Sequence, residues 1–370
     1  MRNLTNRRGM ALPLAIFALV IVGALVAGSF FIGWQEQRVG RNTVKLQQAF
    51  GAAEAGAQAT VANWDIDVYN ALPTGGTLAI GGSYGSNGWF RGDVRRLNEM
   101  LFLVRSEGFS RDSTARQQVG LLVRLRPIEI NIQAALETQG ATKIGGSSYI
   151  DGYDQAPAGW TGCPPLAPAL PGIRIKDATD ITTAGCSGLS CVQGDPKVEG
   201  DPTISDSSLT TFGDLEFQEL RALATKLVAG GTMQIQPNVS GTTCNTAVLT
   251  NWGDPLTPTA PCGNYFPIIW SDADLNINGV QGQGVLIVNG DLSVQGGFEF
   301  FGPVIVKGRL KTTGTGGHFN GGVIAANIDL DQNDILGNAV ISYSSCALIK
   351  TLNATAAGAP LRERSWVNLF

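Results

Sequence analysis

The chain has 370 residues, with 26 Lys and Arg against 30 Asp and Glu, a formal net charge of −4. That balance excludes the basic footprint nucleic acid requires, and the length accommodates two or three packed units. The 48 glycines and 17 prolines, beside a charged share of only 15 %, imply many tight turns between short strands and a surface of neutral polar residues.

Arg7-Arg8-Gly9 leads into an uncharged run from Met10 to Gly33, 24 residues long. As a helix it extends roughly 36 Å, enough for a bilayer core of about 30 Å. It exceeds the roughly 7–15 apolar residues of a signal-peptide core. Pro13 sits in the first turn, where its missing N–H does no harm. Arg2, Arg7 and Arg8 before the span and Arg38, Arg41 and Lys45 after it leave the orientation undecided by charge. From Gln35 the pattern stays helical, with Val39, Leu46, Phe50, Ala53 and Ala57 spaced by three, four and seven. One helix over residues 10–65, membrane-spanning over 10–33, is expected.

Residues 66–89 are rich in Gly, Pro and Asn and read as a loop. Residues 94–105 and 116–126 flank Ser106-Glu107-Gly108 and a polar turn and read as an antiparallel hairpin, although the first segment also suits a short helix. Together 66–127 form a small β region. The C-terminal third repeats: Ile269, Leu286, Ile305, Ile324 and Ile341 are 17, 19, 19 and 17 residues apart. Leu292, Leu310 and Ile328 form a second series at 18, each preceded two residues earlier by Gly290, Gly308 or Ala326. Two series at one period point to a parallel β-solenoid (β-helix) over 263–370, whose stacked coils share one core. Residues 128–150 have the same texture and read as its first coil. Residues 151–262, holding five of the six cysteines and 11 of the prolines, then form an insertion, with a helix-like patch at 212–228 through Leu215, Leu220, Leu223 and Leu227. The fold class expected is α+β.

The six cysteines, Cys163, Cys186, Cys191, Cys244, Cys262 and Cys346, all follow the apolar run. An even number on one side of a membrane reads as disulfides in an oxidising compartment, which places the C-terminal bulk outside. Six cysteines allow 15 pairings. The near pairs Cys186–Cys191 and Cys244–Cys262 would staple local loops and leave Cys163 with Cys346.

Few residues invite chemistry. Gly81-Gly82-Ser83-Tyr84-Gly85 matches a nucleophile elbow, but no helix follows and the only histidine, His318, lies in a glycine-rich stretch. His318 reads as a solvated side chain. Asp329, Asp331, Asn333 and Asp334, and Asp272, Asp274, Asn276 and Asn278, are oxygen-rich clusters that suit either calcium or a polar strand face. No phosphate-binding loop occurs. The expectation is a protein without catalytic residues or obligatory cofactor.

The N-terminal segment resembles type IV pilin-like proteins, in particular the PilX-type minor pilins. The resemblance rests on Arg7-Arg8-Gly9-Met10, the apolar run to Gly33, and Ala49-Phe50-Gly51-Ala52-Ala53-Glu54-Ala55-Gly56, close to the family's AFxAAEAG stretch. It implies a leader over residues 1–9, cut by a prepilin peptidase after Gly9, with Met10 then methylated. It also implies filament packing through the helix, with Leu14, Glu36, Phe50 and Glu54 as packing positions. The family's usual glutamate at the fifth mature position is Leu14 here, which favours a subunit at the filament tip. Other pilin subunits, the peptidase, the assembly machinery or a tip adhesin, and the membrane are the partners implied, without nucleic acid. The bacterial inner membrane, then the periplasm or cell surface, is the location implied. The alternative is an uncleaved, membrane-anchored surface protein carrying a structural or ligand-binding solenoid.

Overall fold

The computed structural model describes residues 11–213, 215–361 and 365–369. The chain forms two compact units. One comprises the N-terminal helix, residues 75–123 and the C-terminal segment from Pro360; the other comprises residues 64–74 and 124–359.

In the first unit, helix α1 (Ala11–Ala62) is continuous over 52 residues, about 78 Å at helical rise. Four antiparallel strands follow in a meander: β1 (Thr77–Tyr84), β2 (Gly88–Arg96), β3 (Leu101–Ser110) and β4 (Arg116–Arg126). The C-terminal strand Trp366–Leu369 pairs antiparallel with β4, Trp366 opposite Leu121. Burial alternates along β3, with Phe102, Val104, Ser106 and Gly108 covered. That is the period-two pattern of a sheet with one face packed.

The helix packs on that face through Ala49, Ala52, Ala53 and Ala57, all fully buried. Small residues permit a very close approach. A Cβ on Gly108 would lie 2.1 Å from the Ala49 carbonyl oxygen and 2.2 Å from the Ala53 nitrogen. The sheet glycines serve the same end between strands: a Cβ on Gly92 would lie 1.8 Å from the Arg105 carbonyl oxygen. These glycines mislead a turn-based reading of the sequence. The expected loop at 66–89 contains β1 and the start of β2. Ser106-Glu107-Gly108 lies inside β3, the polar turn to β4 follows at residues 111–115, and the chain also reverses at residues 97–100.

The second unit is built from two parallel ladders to which successive coils each contribute strands. The spatial order in the shorter ladder is Gly231–Ile235, Leu275–Gly279, Leu292–Gln295, Leu310–Thr313, Asn333–Ile335, Thr142–Gly145 and Ile181–Ala184. The longer ladder carries Lys226–Val228, Ile268–Ser271, Val285–Val288, Phe298–Val306 and Gly317–Ala325 in the same direction. Beyond Gly317–Ala325 it continues through Leu136–Thr138 and Ile173–Ile175, and through Val340–Tyr343 and Tyr149–Asp151. The chain therefore enters in the interior of the stack and builds outward to Val198–Gly200 at one end. It then crosses to Lys226 at the other and winds back until Asn333–Ile335 meets Thr142–Gly145.

This path bears on three expectations. Residues 128–150 hold the first ladder strands in chain order, as expected, but their coil lies inside the stack, between the coils of 317–343 and 173–193. Residues 151–262 are not a single insertion, because strands at 173–200 and 226–235 pair in the ladders. The patch at 212–228 is not a helix. Thr211–Phe212 pairs with Leu215–Glu216, Phe217–Leu223 is a 3-10 segment, and Lys226–Val228 is a ladder strand.

The register also departs from the simple period. Ile269 opposes Leu286 and Ile305 opposes Ile324, but Leu286 opposes Val304, and Ile341 opposes Phe319, five residues before Ile324 in the same strand. Leu275, Leu292 and Leu310 share a row. The next rung holds Asn333 rather than Ile328, because Lys311 opposes Asp334. Buried Asn333 accepts the Leu310 N–H (2.9 Å) and donates to the Thr138 hydroxyl (3.0 Å), which an aliphatic side chain could not do. The glycines of the repeat have a specific task. Asp274 accepts the Asp291 N–H and Asp291 accepts the Arg309 N–H, each from one coil to the next (2.8 and 3.1 Å). A Cβ on Gly290 or Gly308 would lie 2.4 or 2.3 Å from those carboxylate oxygens.

The crossing segment, 201–225, shields an aligned apolar row, Trp270, Ile287, Ile305 and Ile324. Phe217 packs on Trp270 with ring centroids 5.1 Å apart, and Arg221 clamps Asp272 (2.7 and 3.1 Å). Strands covered on both faces read as unbroken apolar runs, hence Val285-Leu286-Ile287-Val288, all fully buried. The disulfides are Cys163–Cys346, Cys186–Cys191 and Cys244–Cys262.

Candidate functional site

Two features invite a functional reading, one in each unit. The first is the unburied length of α1. Leu12, Leu14, Phe17, Leu19, Leu25, Phe30 and Phe31 are all exposed, Phe30 by 76 %. The best 18-residue window of this helix has a mean hydropathy of 2.7 and none of it is buried within the chain. A soluble monomer does not leave so large a contiguous apolar surface open. Lipid or other apolar helices must cover it. Past Gly33 the character changes: the Arg38 guanidinium lies 5.1 Å from the centre of the Trp34 ring, and one turn on the helix is polar.

The proposed packing positions fall on the open side of this helix. Leu14 and Glu36 are exposed, Phe50 is 38 % exposed and Glu54 is half-buried. Their alanine and glycine neighbours in 49–56 carry the intramolecular contact. The motif thus divides between two faces: Ala49, Ala52, Ala53 and Gly56 hold the sheet, and Phe50 and Glu54 are left over. Gly9 and Met10 lie outside the described residues.

The second feature is a polar cleft of about 410 Å³ in the coiled unit, lined by residues including Glu129, Gln133, Glu137, Arg174, Ser208 and Phe212. Nothing in the periodicity marks it. Along the row of Ile287, Ile305 and Ile324 the next two rungs are Glu137 and Arg174. There the apolar row becomes an ion pair. Glu137 is 2 % exposed. Burial pushes its carboxyl up, while the backbone N–H of Gln133 and the Arg174 guanidinium pull it back. Arg174 bridges Glu137 (3.3 Å) and Asp201. Removing either partner alone would leave the other as an uncompensated charge in a largely buried position.

The remaining sequence candidates disperse. Ser83 lies within β1 opposite Trp89, in a hairpin with no helix after it. His318 is not in a turn but in the strand Gly317–Ala325, 3.7 Å from Glu299. Asp272 is held by Arg221 and the Trp270 indole, which keep its carboxyl down to about 2. Asp274 and Asn333 bond the backbone of the adjoining coil, and Asp331 lies 3.5 Å from Arg309. Among the described residues no three His, Cys, Asp or Glu side chains converge as a metal site would require.

No protein-family profile matches the chain, and no characterised protein matches it by sequence. Among solved structures it is similar to the competence-associated pilin ComZ from Thermus thermophilus, at 12 % identity over 88 % of this chain and 96 % of that one, with a TM-score of 0.23. So low a TM-score does not establish a shared fold.

Proposed function

We propose that the chain is a pilin-like subunit that is held in the membrane by α1 and then packs through the same helix into a pilus or pseudopilus. The observation that carries this is the division of one helix. Its second half is fixed to its own sheet by Ala49, Ala52, Ala53 and Ala57, while residues 12–34 bury nothing. A surface that is apolar on every side suits lipid first and other helices afterwards, and burying it drives assembly. Glu36, Phe50 and Glu54 continue the open side and are the contacts to neighbouring subunits.

On this reading a prepilin peptidase cuts between Gly9 and Met10, and Met10 is methylated. Leu14 in place of the usual glutamate gives no partner to the terminal amine of a neighbour, which suits a minor, PilX-type subunit at the tip. The coiled unit, a β-solenoid tied by three disulfides, is then displayed outside the inner membrane, where it contacts a surface, a tip adhesin or the assembly machinery. Its role is structural, without catalysis or a required metal.

Intact-mass and N-terminal peptide analysis with and without the peptidase tests this. The expected product lacks residues 1–9 and begins with methylated Met10, and Gly9→Lys stays uncut. An unchanged mass in the presence of peptidase refutes the pilin reading. It would favour an uncleaved surface protein, for which the polar cleft at Glu137 and Arg174 is the binding site.

A further inference from the structure

We propose that the base of α1 beyond the apolar run is a docking surface for anionic phospholipid headgroups on the disulfide-bearing side of the membrane. The proposal rests on the reading that residues 12–33 span that membrane. Trp34, Arg38, Arg41 and Lys45 follow one another at spacings of four, three and four, so they form a single stripe. With the apolar run ending at Gly33, Arg38 stands about 8 Å and Arg41 about 12 Å farther along the axis. The headgroup layer is roughly 5–8 Å thick on each side. Arg38 therefore reaches headgroup depth with its guanidinium over the Trp34 ring, 5.1 Å from its centre, the pairing of aromatic and basic residues typical of an interface. Arg41 lies within a Debye length of the phosphates.

A second element joins the stripe. The turn between β3 and β4 is tied to the helix by Lys45, which bonds Asp112 (2.6 Å) and Thr114 (3.1 Å). That contact holds the Asp112 carboxyl well below the usual range. It also consumes the nearest acidic charge and sets Arg111 beside Arg41, both lining one open groove with Gln37, Gly40 and Val44. Glu36 is the acidic residue that remains on this stretch of helix. The surface thus presents three arginines facing the headgroup layer, complementary in charge to its phosphates. Basic residues retained on the translocated side run against the usual charge bias of membrane proteins, which a lipid-binding task accounts for.

The full chain in zwitterionic detergent, given phosphatidylglycerol or phosphatidylcholine and read by native mass spectrometry, tests the proposal. Phosphatidylglycerol should be retained in preference, and R38Q/R41Q/R111Q should lower that preference about tenfold or more. R95Q/R116Q, which removes two exposed arginines of the sheet, should leave it intact. Equal retention of both lipids overturns the proposal, as does an equal loss in the sheet variant. A triple variant that alters self-association but not lipid retention also overturns it, and assigns the stripe to carboxylates of a second copy. Insertion is read separately, by resistance of vesicle-bound protein to carbonate extraction. Extraction from vesicles of either lipid refutes the spanning reading itself, whereas insertion without headgroup preference refutes only the docking surface.

Discussion

Replacing Gly108 by alanine adds a single methyl group, and the structure places it against backbone. The new Cβ would lie 2.1 Å from the Ala49 carbonyl oxygen, 2.2 Å from the Ala53 nitrogen and 2.8 Å from the Ala53 Cα. No rotamer change relieves such contacts, so helix and strand must separate by roughly 1 Å. Overpacking of this kind costs about 1–3 kcal/mol, equivalent to a 5- to 150-fold rise in local opening. Hydrogen exchange on the full chain in detergent should show that loss of protection at helix amides between Ala52 and Thr60 and across β3. Amides of Val285–Val288, in the other unit, should keep their rates. Gly40→Ala is the matched control, since nothing lies within 4 Å of its Cβ position; it should stabilise the helix by up to about 1 kcal/mol. Unchanged protection in Gly108→Ala would refute the conclusion that the alanines of 49–57 are the helix's own contact with its sheet.

Two further outcomes follow from the coiled unit. The Cys163–Cys346 bond closes a separation of 183 residues and Cys186–Cys191 one of 5. By loop-closure entropy, the double alanine variant of the long pair should therefore cost about 3 kcal/mol more than that of the short pair; equal losses in thermal midpoint would contradict this. Burial, with Asp65 adding to it and Lys226 opposing it, pushes Asp67 up to about 6. A carboxyl raised on folding favours the folded state fully below its unfolded value of about 4, and that advantage is lost as pH rises to about 6. Asp67→Asn should raise the thermal midpoint relative to the parent at pH 7.5 and not at pH 4; a gain of equal size at both would show that ionisation is not the cause.

Much of the architecture is legible in the sequence because it rests on short-range periodicity. The uncharged run from Met10 and the amphipathic stripe through Phe50 and Ala53 specify a long helix on composition alone. Two residue series near a period of 18 specify parallel coils. What misled was glycine, whose sequence signature is the same for a turn and for a close contact. Gly82, Gly88 and Gly108 are sheet positions that make room for Phe90, the Phe109 backbone and α1, so β1, the start of β2 and the end of β3 read as loop or turn. Asn333 likewise occupies a rung where the period calls for an aliphatic residue, because a buried amide there satisfies the Leu310 N–H.

The sequence by itself therefore determined the membrane-length helix, the class of the fold and the repeated coil, since each follows from which residues are apolar and how often they recur. Tertiary structure alone decided the order in which coils stack and where the apolar row turns into the Glu137–Arg174 pair. It also decided which half of the 49–56 motif faces inward. Those depend on contacts between residues as distant as Asn333 and Thr138, and a local pattern carries no information about which distant segment will supply the matching donor or the matching gap.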